Sequence, residues 1–428
     1  MADIVIFYEL PERELNNANL LKAEFERRGY SVEIKDYWNY HEIVFPIKDK
    51  PKLVIAHSGY DNSDLERFTA RFRPKIDKML NMRYEQVIAD RILNSTLHYP
   101  REYLKHMSFI CWSEHIKEEM IEQGIPEKNL AVTGDIKTDF SNELFDSFYK
   151  TKEELGKEFG LDYQKEWVLF ISSFTFNEFD TDERLVRLNN NLEDGKYMQK
   201  WDIETKKIFV KWVRKFLEDH PEKEFIYRPH PTENNVVTEY FDAHALEEEF
   251  SNFHYIGKYA IQEWIRPCDY LNTCLSTSII DVYLLKKQCN ILRPVPLDPG
   301  FDNPLLVHAD SIDSYEEFEK FNTSKSDKPF PISDEDVNKY YYFGEKLAYE
   351  NICDFAEKMI NDDSYKSDFY PTNPTISRLK FIIKKSLAMP KGIPTVIKSA
   401  FRNSSIHESE MKSSNINAEK INKIIKGK

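Results

Sequence analysis

Residues 224–231 read Glu-Phe-Ile-Tyr-Arg-Pro-His-Pro, a short apolar run that delivers Arg228, Pro229, His230 and Pro231 in immediate succession. Two prolines can neither continue a central strand nor sit inside a helix, so the backbone must leave a sheet here and hold Arg228 and His230 at its carboxyl edge. In open α/β sheets ligands bind outside that edge. A guanidinium fork beside an imidazole can grip and protonate phosphate oxygens, the chemistry that a departing nucleotide needs. The plainer alternative is a rigid strand exit carrying a surface histidine. A second set, Ser276-Thr277-Ser278, directly precedes the apolar run Ile279-Ile280-Asp281-Val282-Tyr283. Hydroxyls at a helix start cap its free amides, and the same geometry binds an anion through N–H groups and the helix dipole. A simple cap needs only one hydroxyl, and here there are three. Neither G-x-G-x-x-G nor G-x-x-x-x-G-K-[ST] occurs, which argues against a dinucleotide fold or a P-loop.

The elements that position these residues follow from apolar runs and their punctuation. Ile4–Tyr8 reads as a buried strand, Glu12–Arg28 as a helix stopped by Gly29, and Ser31–Ile34 as a second strand. Such an opening predicts a parallel sheet with right-handed crossovers. Leu53–Ala56 is a further strand that delivers His57, Ser58 and Gly59. Phe109–Trp112 and Asn129–Thr133 complete a first α/β unit over 1–145, with a helix from about Glu114 to Gln123 between them. Residues 146–165 are charged and helical and read as a linker. A new sheet begins at Trp167–Ile171, whose end carries Ser172, Ser173, Phe174, Thr175, Phe176 and Asn177. A helix over Thr205–Asp219, the strand into Arg228, a helix near Val237–Phe250, the strand His254–Ile256 and the strand Asn290–Leu292 repeat the first unit's plan over 166–310. Residues 311–390 read as helices packing back across the domains, and 391–428 as a basic tail.

Composition bounds the function. At 428 residues with 41% apolar content the chain can bury two cores. Five scattered cysteines without a CxxC pair fit reduced thiols in a cytoplasmic protein, and the amino terminus lacks a signal peptide's basic flank. A net charge of −14 argues against general nucleic-acid binding. Between Arg378 and Arg402, however, lie seven bases and no acid, interleaved with Leu379, Phe381, Ile382, Ile383 and other apolar residues. That mixture fits an anionic membrane surface, or equally a docked helix showing its basic face to water. Asp180-Thr181-Asp182 has the letters of a metal motif but sits in a polar loop, so no metal site is expected.

Two Rossmann-like halves with a nucleotide grip in the second resemble the GT-B glycosyltransferase architecture. Arg228-Pro229-His230-Pro231 and Ser276-Thr277-Ser278 resemble the "HP" and serine/threonine motifs of one group within it. That group includes bacterial sialyltransferases, Kdo transferases and CDP-glycerol glycerophosphotransferases, which share cytidine-nucleotide donors. Three further stretches resemble surface carbohydrate biosynthesis proteins: Glu9–Gly29 with Arg13-Glu14-Leu15, Val132–Asp135 with Asp139, and Leu169–Asn177. The chain departs from the pattern at Gly134-Asp135-Ile136-Lys137, where a Gly-Asn-Pro-Arg run would stand, and at Asp281, where many GT-B proteins carry a glutamate for the donor ribose.

The resemblance implies two domains facing a cleft and metal-independent transfer without a cofactor, the co-substrate being a CMP-linked sugar such as Kdo or a nonulosonate. It implies a glycan or lipid-linked glycan acceptor for capsule, O-antigen or a related polymer, and a place in the cytoplasm, at most peripheral at the inner membrane face. Arg228, His230 and Pro231 would engage the donor phosphate, with Ser276, Thr277 and Ser278 opposite and Ser172 and Ser173 beside them. An acceptor hydroxyl must lose its proton to a first-domain group. Glu9, Glu14, His57 and Asp61 all follow strand ends there, and Asp61 and Glu14 head that set. Three alternatives stay open: a CDP-glycerol or CDP-ribitol type phosphotransferase, a non-catalytic scaffold of a glycan-synthesis complex, and an epimerase preferring UDP.

Overall fold

The computed structural model describes residues 2–39, 41–59, 62–89, 91, 107–176, 181–182, 185–186, 191–230, 233, 235–324, 330–367, 373–388 and 408–428. The chain forms two compact units. One holds Met1–Gln86, His98–Asp139 and Asn338–Lys428; the other holds Val87–Leu97 and Phe140–Val337. Each is built on a six-stranded, wholly parallel sheet.

In the first unit the strands are β1 (Ile4–Tyr8), β2 (Val32–Asp36), β3 (Leu53–Ala56), β4 (Met79–Asn81), β5 (Ser108–Cys111) and β6 (Leu130–Val132), in spatial order β2-β1-β3-β4-β5-β6. Both faces are covered, so β1 and β3 read as unbroken apolar runs rather than alternating ones. The helix Asn16–Arg27 follows a π-helical turn, Pro11–Leu15. It ends because Gly29 takes φ +91°, a left-handed value that its missing Cβ permits.

In the second unit the strands are β7 (Glu166–Ile171), β8 (Lys223–Arg228), β9 (Phe253–Tyr255), β10 (Tyr270–Thr273), β11 (Asn290–Leu292) and β12 (Ser311–Ile312), in order β12-β11-β10-β7-β8-β9. The helix Leu192–Asp219 packs along this sheet, with Phe209, Val213 and Phe216 at helical spacing in an aromatic core. The Phe209 and Phe170 ring centroids are 4.0 Å apart. Each fully buried phenylalanine contributes about 2–3 kcal/mol by area.

Several boundaries differ from the sequence reading. The expected linker, 146–165, lies inside the second unit, where the helix Lys152–Phe159 is closed by a Thr151/Glu154 capping box and by Gly160 at φ +78°. Phe159 packs edge-on against Trp264, and Glu263 accepts the Lys150 N–H, so this segment is tied to that unit's own helices. Residues 311–337 stay with the second unit, whereas 338–428 return to the first. The return is fixed by the helix Ala348–Asn361, which buries Tyr349, Ile352, Cys353, Ala356 and Met359 and pairs Asp354 and Glu357 with Arg28. The helix expected over 205–219 begins earlier, at Leu192, and the one expected near 237–250 is confined to Ala243–Glu249 by its cap, Asp242. All five cysteines are buried and free.

Candidate functional site

The second sheet has the 3-2-1-4-5-6 strand order when read from β9 to β12, with its reversal between β7 and β10. Ligands of such sheets bind at the carboxyl ends beside the reversal. Register brings the exits level there, since Ile171 pairs with Arg228 on one side and with Thr273 on the other. Residues from Ser172, Pro229 and Cys274 onward therefore leave the sheet together. His230 is half-buried at this edge.

One carboxylate organises the β7 and β8 exits. Glu233 is 5% exposed, and its Oε2 accepts Ser172 Oγ at 2.6 Å and the His230 backbone N–H at 3.3 Å. Its Oε1 accepts Tyr227 Oη at 2.8 Å and the ammonium of Lys206, which is itself fully buried. A buried ion pair persists only when its remaining lone pairs are hydrogen-bonded, as they are here. The Tyr227 hydroxyl is held far above its ordinary range, by burial first and by the Glu233 charge second, so it serves as a donor. Neither Glu233 nor Lys206 stood out in the sequence, although a signal existed. Asp202, Thr205 and Lys206 are polar residues on the very helix stripe that continues as Phe209 and Val213.

The structure reassigns several expected donor contacts. Arg228 is buried, and its two terminal nitrogens donate to the carbonyls of Ile256 and Tyr259, bracing the β9 exit instead of presenting a free fork. Ser172 is 2% exposed and belongs to the Glu233 network, not to a ligand surface. Ser173 Oγ accepts the Leu275 N–H at 3.1 Å and thereby joins the β7 and β10 exits. Ser278 occupies the cap position of the helix Ile279–Leu284, yet its hydroxyl caps nothing. Its backbone is helical at φ −66° and ψ −3°, and a capping side chain needs the extended region. Ser276 Oγ instead accepts the Ser278 N–H. Among the described residues the hydroxyls of Thr277 and Ser278 make no hydrogen bond, and Thr277 is exposed. Asp281, which stands where many GT-B proteins carry a glutamate, is buried and accepts Gln262 Nε2 at 2.9 Å. Pro231, Asp61, Asn177 and Asp180 lie outside the described residues.

The first sheet has the order 2-1-3-4-5-6, whose reversal falls between β1 and β3. Ile4 pairs with Leu53 there, so Glu9 and His57 emerge side by side. His57 Nε2 lies 3.3 Å from Glu9 Oε2. The imidazole is 3% exposed and is walled by Tyr37, whose ring centroid is 4.4 Å away, and by Phe68. Glu14 Oε2 accepts the Glu9 N–H at 2.6 Å. Burial pushes both carboxyls upward, but the outcomes diverge. At Glu9 the His57 hydrogen bond and charge, with Arg13 and Arg67, overcome burial and bring the pKa below its ordinary value. At Glu14 burial wins and the pKa is raised. The two neighbouring carboxyls are thus driven apart, Glu9 toward its ionised form and Glu14 toward its protonated one. Glu14, ranked above Glu9 from sequence, is a support of the Glu9 backbone.

The Val132–Asp135 stretch and Asp139 are structural anchors. Gly134 sits at φ +83°, and a Cβ there would stand 2.7 Å from the Tyr342 carbonyl. Asp139 accepts the N–H groups of Ala348 and Tyr349 at 2.8 and 2.7 Å, fastening the helix Ala348–Asn361. Burial raises its pKa to about 7. Among the described residues no group of three or more His, Cys, Asp or Glu is arranged to hold a metal ion.

Solved structures share this plan. The wall teichoic acid polymerase TagF aligns over 84% of this chain and 89% of its own, at 12% identity and a TM-score of 0.54. A histidine variant of TagF soaked with CDPG aligns over the same shares, at 13% identity and a TM-score of 0.52. The chain has the two-unit α/β fold of GT-B proteins. The UDP-GlcNAc 2-epimerase of Methanocaldococcus jannaschii aligns over 89% of this chain and 99% of its own, with 13% identity and a TM-score of 0.41. No family model matches the sequence, and no curated protein matches it.

Proposed function

We propose that the chain is a transferase that takes a cytidine-nucleotide donor in its second unit and deprotonates a glycan acceptor hydroxyl in its first. The observation that carries this reading is the placement of His230 at the carboxyl edge beside the β7/β10 reversal, its backbone pinned by a buried carboxylate. In this reading His230 hydrogen-bonds the donor phosphate and meets the charge that grows on the leaving nucleotide. The hydroxyls of Thr277 and Ser278 add neutral donors to the same phosphate, and Arg228 positions the loop. Glu9, kept ionised by His57, takes the acceptor proton. No step calls on a cofactor or a metal.

For a CMP-linked sugar such as Kdo or a nonulosonate, the acceptor oxygen attacks the anomeric carbon, the bond from that carbon to the phosphate oxygen breaks, and CMP leaves. A second reading, polyol phosphate transfer, is favoured by the likeness to TagF, which was solved with CDPG. There the acceptor oxygen attacks the distal phosphorus, the P–O–P bridge breaks, and CMP again leaves. Incubation with each donor and an acceptor glycan, followed by ion exchange of the nucleotide and phosphate analysis of the product, separates them. Phosphate in the product establishes the second reading, and its absence beside released CMP the first. If neither donor releases CMP, both readings fall and a scaffold remains.

A further inference from the structure

The helix Pro374–Ala388 has two apolar faces, and the fold uses only one. Its inner side buries Ser377 and sets Phe381 and Ile382 against Ile43. Arg378 locks that side by donating to the carbonyls of Ala70 and Phe72 at 3.1 and 3.0 Å. On the opposite side Ile376, Leu379 and Ile383, spaced by three and four residues, are 49%, 55% and 57% exposed. Lys380 and Lys384 flank this stripe and are exposed.

Contiguous apolar residues left exposed on the outward side of a docked helix mark an interaction surface. We infer that this outer face lies on an anionic lipid bilayer, with Ile376, Leu379 and Ile383 in the headgroup boundary and Lys380 and Lys384 on the lipid phosphates. Charge selects this occupant. On a chain of net charge −14, the sequence from Arg378 to Arg402 holds seven bases and no acid, and the stripe is flanked by exposed Lys380 and Lys384, Lys380 standing 3.5 Å from Glu66. Among the described residues no helix is long and apolar enough to cross a membrane, so such attachment would be interfacial. The inference rests on the first unit's surface and is independent of the transfer reaction.

Co-sedimentation of the full chain with phosphatidylglycerol-containing vesicles and with pure phosphatidylcholine vesicles tests it. Binding to the anionic vesicles is expected to fall with salt and to be lost in Leu379→Glu/Ile383→Glu, whose sites are exposed and whose melting should stay that of the parent. Lys380→Glu/Lys384→Glu should bind at least roughly thirtyfold more weakly, at about 1 kcal/mol per base removed. Absence of binding, or binding unchanged in both variants, overturns the inference. So does a parent chain that self-associates in light scattering and loses that association, rather than vesicle binding, in the variants.

Discussion

Glu233 Oε2 accepts the His230 backbone N–H at 3.3 Å while Oε1 of the same carboxylate accepts the ammonium of Lys206 from the buried face of the long helix. The placement of the histidine is thereby coupled to an ion pair inside the core. Removing one partner leaves the other charged and desolvated, which costs about 3–5 kcal/mol. Glu233→Ala and Lys206→Ala are each expected to lose that much in urea denaturation, and the double variant less than the sum. Additive losses would show that the two charges do not depend on each other.

The Glu9–His57 pair predicts a division of labour in the kinetics. Glu9→Gln should lower kcat by about 10²–10⁴ and leave donor affinity unchanged, since the pair belongs to a different unit from the donor grip. His57→Ala frees Glu9 from the interactions that oppose its burial, so the Glu9 pKa rises and the acidic limb of the pH–rate profile moves upward. A His57→Ala profile superimposable on the parent's would remove His57 from the account.

Asp139 predicts a pH dependence of stability. Its folded pKa is raised from an ordinary 3.8 to about 7 by burial, against the two N–H groups that it accepts. The folded state therefore binds a proton that the unfolded state has already released between those values. Its contribution is fully present below about pH 4 and is lost as pH rises through about 7, for a total on the order of 4 kcal/mol. Melting of Asp139→Asn between pH 4 and 8 should show a flatter dependence than the parent. Equal slopes would contradict the assignment.

What the sequence revealed, and what it did not, follows from range. Unbroken runs such as Leu53–Ala56 and Trp167–Ile171 identified buried parallel strands because both faces of these sheets are covered. The three-residue Met79–Asn81 and the two-residue Ser311–Ile312 carry too little pattern to be seen, and they pair only because neighbouring strands offer them an edge. Arg228-Pro229-His230 was correctly placed at a strand exit, yet the direction of the arginine depends on carbonyls 28 and 31 residues away. His57 and Glu9 were visible only as separate strand-end residues. Their contact is set by strand order, which brings β3 against β1.

The central claim, that His230 holds the phosphate of a cytidine nucleotide, is tested most directly by titration calorimetry of CMP, CDP and UDP into the parent chain and into His230→Ala. The cytidine nucleotides are expected to bind, and the substitution to weaken them by about tenfold to a hundredfold, the loss of one charge-assisted hydrogen bond, with melting unchanged. Cytidine nucleotides that fail to bind, or that bind His230→Ala as tightly as the parent, would contradict it.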